Sequence, residues 1–182
     1  SARAAVAHLV EIGRRRIAVI GADPQAEQAG DVSSATLRTQ GYREALEDAG
    51  LDVDPRLIRR AEHWNRATGA AATRELLDEG IEIDAVFALN DTLGLGVIHA
   101  LRAAGVSVPQ DVAVVGFDNI EESRYSTPSM TTVDTGRERI ADQAVALLLE
   151  RIGPQPSTAP PRTVKPEFRM VRRESTGFTT PD

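Results

Sequence analysis

Apolar residues along this chain recur in two alternating rhythms. SARAAVAHLVEIG places Val6, Leu9, Val10 and Ile12 on one helical face and stops at Gly13. RIAVIGADP is a short Ile- and Val-rich run halted at Gly21 and Pro24, the pattern of a strand buried on both faces. Residues Gln25 to Ser34 are small and polar and predict a loop. TLRTQGYREALEDAG then sets Leu37, Tyr42, Ala45, Leu46 and Ala49 near helical spacing, with Gly50 as the stop. LIRRAEHW predicts a weak strand and loop, ATGAAATRELLDEG a helix, DAVFAL a strand, TLGLGVIHALRAAG a helix and DVAVVGF a strand. Strand and helix in strict alternation predict a parallel α/β sheet with right-handed crossovers.

The rhythm breaks after Asp118. NIEESRYSTPSM predicts an irregular connection, TTV a very short extended piece, and GRERIADQAVALLLERI a strongly amphipathic helix. GPQPSTAPP is a Pro-rich link to RTVKPEFRMVRRES, an extended segment whose internal Pro suits an edge strand. A helix that leaves the repeating unit through one thin connection and returns through another is the pattern of a chain crossing between two lobes. The opening helix has no strand before it, so the chain is expected to be a fragment of a longer polypeptide.

Composition narrows the class. The 182 residues contain no Cys, which removes disulfide frameworks, thiolate zinc sites and cysteine nucleophiles. No apolar run approaches the roughly 18 residues of a membrane span, and the N-terminus lacks a secretion-signal pattern. A net charge of -6 argues against this segment gripping a phosphate backbone, and Arg14-Arg15-Arg16, its only basic run, reads as a solvated turn before a strand.

Enzyme chemistry finds no support. His8, His63 and His99 are scattered, no G-x-S-x-G elbow occurs, and no His pair has metal-ligand spacing. Gly94-Leu95-Gly96-Val97-Ile98-His99 imitates a dinucleotide loop, but His99 replaces the third glycine and Asp91 would face a pyrophosphate; close helix packing explains both glycines. Four other residues stand out by position. Asn90 and Asp118 each end an apolar strand, so in a parallel sheet they project from one edge; each alone would serve as a cap or turn former. Trp64 is the only tryptophan, and Arg38 lies near the start of a helix. Sugars are held by stacking on an aromatic ring and by planar amide, carboxylate and guanidinium groups that make paired hydrogen bonds, which is this set. With no nucleophile beside a base, binding without reaction is the simpler chemistry, and no cofactor is implied.

The strings RTQGYREALEDAG, VFALNDTLGLGVIHALRAAGVSVPQDVAVVGFDN and PSMTTVDTGRERIADQAVALLLERI resemble the effector-binding domain of LacI/GalR transcriptional repressors over most of Leu37 to Ile152. The resemblance implies a periplasmic-binding-protein-like fold with a sugar effector between two lobes. It implies effector contacts from Arg38, Asn90 and Asp118, with Trp64 stacking on the sugar and Ser34 added from the preceding loop. By that template residues 1–23 are a remnant of the first lobe, 24–135 form the second lobe, 136–152 are a helix returning to the first, and 153–182 supply the final strand and tail of the second. The resemblance further implies a cytoplasmic homodimer, without membrane attachment, that reads operator DNA through a helix-turn-helix absent from this chain. A periplasmic sugar-binding protein serving a transporter is the alternative with the same cleft.

Overall fold

The run Ile17–Ala22 forms β1, and each of its residues is buried. Parallel neighbours flank it on both sides, β2 (Ile58–Arg60) and β3 (Ala85–Ala88), so neither its faces nor its edges meet water. β4 (Ala113–Phe117) and β5 (Thr131–Asp134) add in parallel beyond β3, and β6 (Arg169–Val171) lies antiparallel to β5 at the edge. The order is therefore β2-β1-β3-β4-β5-β6. The computed structural model describes residues 1–152, 160 and 162–178; most of the Pro-rich link expected at 153–161 lies outside the described residues.

Seven helices accompany this sheet among the described residues: α1 (Ala2–Glu11), α2 (Pro24–Gln28), α3 (Ser34–Asp48), α4 (Arg66–Asp78), α5 (Asp91–Ala103), α6 (Glu121–Tyr125) and α7 (Arg137–Ile152). Right-handed crossovers leave β1 toward β2 and return from β2 to β3 in opposite directions, which puts α3 on one face and α4 and α5 on the other. α1 packs on α3, and α4 on α5. The latter pair meets very closely: a Cβ on Gly96 would stand 2.1 Å from the Arg66 carbonyl oxygen. Gly96 thus serves helix contact. Local chemistry sets the helix starts, with reciprocal capping between Ser33 and Thr36 and between Asn65 and Thr68. The Tyr42 hydroxyl donates to the Ile17 carbonyl at 2.8 Å, tying α3 to β1.

Several expectations need correcting. Residues 1–23 are not a remnant of another lobe. β1 is an inner strand of this sheet, and Val6 and Leu9 of α1 are fully buried in the same core. The polar stretch after β1 is not all loop, because Pro24 at the first turn and the Asp23 side chain capping Ala26 N–H start a short helix. Leu37 is 55 % exposed; Thr36, Thr39, Tyr42, Ala45 and Leu46 carry the buried face of α3. The irregular connection after β4 contains α6.

α7 has no buried residue, and Ile140, Val145, Leu148 and Leu149 lie exposed along it. Its amphipathic pattern is present, but its apolar side is not buried among the described residues.

The C-terminal turn, Glu174–Thr176, is fastened from beneath by His8. His8 is 2 % exposed, its Nε2 lies 3.1 Å from Thr176 Oγ1, and its Nδ1 has no hydrogen-bond partner. Burial pushes its pKa below the usual histidine range, Arg172 pushes it the same way, and Glu11 opposes. A depressed histidine pKa means the neutral form is folded in, so its stabilisation is present above the ordinary value and lost as pH falls through and below it. Thermal unfolding between about pH 8 and pH 5 should show Tm falling on the acid side, and His8→Gln should flatten that slope.

Candidate functional site

Every parallel strand of the sheet delivers a polar or aromatic residue to its carboxyl edge. Asp23 follows β1, Trp64 follows β2, Asn90 follows β3, Asp118 follows β4, and Asp134 ends β5. In open α/β sheets this edge is where ligands bind, at the point where strand order reverses, which here is between β1 and β3.

Arg38 stands at the centre. One guanidinium nitrogen donates to the Leu89 carbonyl, and Nη2 lies 3.3 Å from Asp118 Oδ1. The planar group sits 3.8 Å above the Phe117 ring centroid and 5.4 Å from that of Trp64. Arg38 is therefore held between two aromatic faces, which fixes its plane while leaving its remaining N–H groups available. Trp64 is itself anchored, its indole Nε1 donating to the Gly21 carbonyl at 3.1 Å. Burial pushes the Asp118 carboxyl up, as does Asp91, while Arg38 and Arg137 pull it down; the net shift is upward. Burial likewise lowers the Arg38 pKa against the pull of Asp118 and Asp91.

Of the five residues expected here, Arg38, Asp118 and Trp64 form one contiguous cluster. Asn90 lies on the same edge, next to Leu89, but its Oδ1 caps α5 by accepting from Leu93 N–H at 2.8 Å. The cap reading of that side chain holds, and its amide nitrogen stays free of the cap. Ser34 is exposed on the first turn of α3, one turn before Arg38, and borders a depression of about 370 Å³ shared with Arg38 and Phe117. A larger hollow of about 650 Å³, bordered by Arg102, Pro109, Thr127 and Phe178, lies at the opposite, amino edge and takes in none of the five. Among the described residues no cluster of His, Asp and Glu has the make-up of a metal site.

Two contributors were not foreseen. Phe117 reads in sequence as core, and nothing in its pattern marks the ring as a floor for a guanidinium. Asp91 is fully buried, and its carboxylate accepts from Ile120 N–H at 2.9 Å, Ser123 Oγ at 2.5 Å and Thr132 Oγ1 at 2.5 Å. A Cβ on Gly116 would lie 2.2 Å from Asp91 Oδ1, so the glycine makes room for the carboxylate. That network holds down the turn at Asp118 and Asn119, which adopt φ of 108° and 52°. Left-handed backbone at two consecutive non-glycine residues costs about 1–3 kcal/mol each and persists only where surroundings impose it.

Residues 6–176 match the model of a periplasmic binding protein-like domain. The transcriptional regulator CelR of Thermobifida fusca is 42 % identical over 93 % of this chain and 48 % of its own length. The transcriptional repressor PurR of Haemophilus influenzae is 33 % identical over 81 % of this chain and 42 % of its own length. Among solved structures, a LacI-family regulator from Sanguibacter keddieii superposes with a TM-score of 0.90 at 48 % identity, covering 97 % of this chain and 64 % of that one. CelR in complex with cellobiose superposes with a TM-score of 0.83 at 40 % identity, covering 96 % and 50 %. The chain spans about half the length of the curated relatives it matches.

Replacing Asp91 by Ala would strand three donors that now bond a buried carboxylate. Asp91→Ala should lower unfolding stability by on the order of 3 kcal/mol, measured by urea denaturation. Asp91→Asn, which keeps one carbonyl acceptor, should cost less.

Proposed function

Since the chain belongs to the periplasmic binding protein-like domain family, and its relatives are LacI-family transcriptional regulators, we propose that it is the effector-binding part of such a regulator and that its effector is a sugar. The observation that carries this reading is the Arg38–Asp118 pair set between Trp64 and Phe117 at the carboxyl edge, next to Asn90. A sugar hydroxyl pair can donate to the Asp118 carboxylate and accept from the Arg38 fork, while a C–H face lies on the exposed part of Trp64. The Asn90 amide adds a donor at the next strand end. None of these groups is a nucleophile paired with a base, so the site recognises and releases its ligand unchanged. The relatives are regulators, not enzymes.

α7 carries the chain to a first lobe that covers its exposed apolar side, and β6 marks the return. Effector binding closes the two lobes, and the differential affinity for open and closed states shifts operator binding by a helix-turn-helix outside this chain. The whole protein acts as a cytoplasmic homodimer on a palindromic operator. Among the described residues no helix is long and apolar enough to cross a membrane.

Because one relative was solved with cellobiose, that disaccharide is the first probe, beside maltose, lactose and a purine as controls. Titration of the intact polypeptide, followed by Trp64 fluorescence and calorimetry, should show saturable binding of a disaccharide. Asp118→Asn should weaken it by roughly a hundredfold, the loss of a buried charged acceptor. The same substitution should leave Tm at neutral pH at or above the parent's. A raised carboxylate pKa means the folded state favours the proton, so the ionised form opposes folding above the ordinary carboxylate range. Unchanged affinity in Asp118→Asn would remove this site from the function.

A further inference from the structure

Asn119 follows the Asp118 carboxylate and touches more elements than its size suggests. Its N–H donates to Thr132 Oγ1 at 3.3 Å, and its carbonyl accepts from Arg137 Nη2 at 3.2 Å. Its side-chain Oδ1 accepts from Arg173 Nη2 at 2.8 Å, and the Asp134 carboxylate lies on the side of its amide group. These partners sit where the chain leaves the sheet and where it comes back. Asp134 ends β5, Arg137 opens α7, and Arg173 follows β6.

We propose that Asn119 is a positioning residue, which fixes the left-handed turn that aims Asp118 and locks that turn to the two segments through which the chain leaves and re-enters the sheet. The inference rests on the sugar-binding reading of Asp118 and adds to it a path between the site and the lobe connections.

The partners of Asn119 are themselves fixed. Arg173 is 6 % exposed, and its Nη1 donates to the Met130 carbonyl at 2.8 Å, so its guanidinium has a set direction. Asp134 accepts from Gly136 N–H at 2.9 Å and from Arg169 Nε at 2.9 Å, joining the outgoing and returning segments before Asn119 is counted. Burial pushes the Asp134 carboxyl up, but Gly136, Arg169 and Asn119 together hold it below the usual range. An asparagine suits this pattern, because an amide offers an acceptor to Arg173 and turns a donor rather than a second negative charge toward Asp134. It also tolerates the φ of 52°. A shift of the outgoing and returning segments against each other, as lobe closure demands, would pull on both ends of that amide.

The test exploits the donor and acceptor polarity. Asn119→Asp keeps size and backbone preference but sets two carboxylates against each other; the double variant Asn119→Asp with Asp134→Asn restores one donor facing one acceptor. Cellobiose affinity should fall roughly tenfold in Asn119→Asp and recover in the double variant. In parallel, carboxyl carbon NMR of Asp118 without ligand should show its titration moving toward the ordinary range in Asn119→Ser, which loosens the turn without placing a second carboxylate beside Asp118. If the parent binds no disaccharide, the sugar reading fails, while the Asp118 titration still decides whether Asn119 positions it. Titration of Asp118 unaltered by Asn119→Ser, or a folded double variant with no recovery of affinity, would overturn the proposal.

Discussion

The geometry of the carboxyl edge depends on one buried charge. Asp91 is sealed from water, and a carboxylate in that position is tolerated only when each oxygen is met by donors of good geometry. Its donors come from the chain after β4, from α6 and from β5. One side chain at the head of α5 thereby pins the ends of two further strands. Breaking a buried charge network is far more costly than never having built it, so the arrangement behaves as all-or-none and gives the edge a single geometry.

Rigidity of that kind makes the strain beside it affordable. Asp118 and Asn119 occupy left-handed backbone that neither residue would choose in an open chain. The Asp118 carboxyl is also raised by burial, with Arg38 only partly compensating. A carboxylate held partly dehydrated and opposite a stacked guanidinium is poorly satisfied without a ligand and well placed to accept hydroxyl groups. Local destabilisation at a binding edge, supported by a well-packed sheet below, is the usual division of labour between site and scaffold.

In the proposed site the end of β3 would serve two purposes, helix cap and ligand contact. The Asn90 Oδ1 satisfies the first turn of α5, and the amide nitrogen stays free of that bond. Capping supplies the preorganisation that a recognition group needs. Arg38 shows the parallel case, since its bond to the Leu89 carbonyl and its aromatic sandwich immobilise it before any ligand arrives.

The order of strands and helices, the shared edge of Asn90 and Asp118, and the family were legible in the sequence, because short continuous apolar runs, period-3.6 patterns and terminal motifs are local properties of the chain. Leu37 was misplaced for an equally physical reason: a weakly amphipathic helix shows two plausible faces, and only the neighbours α1 and β1 select the one with Tyr42 inward. Membership of residues 1–23 in this sheet depended on which strands β1 pairs with, and pairing across sequence separations of tens of residues leaves no local mark. Phe117 as a floor for Arg38, Asp91 as the buried anchor and Asn119 as a junction are likewise products of tertiary structure. Their roles are defined by partners that lie far away along the chain, and those meetings exist only once the sheet has set the directions from which they approach.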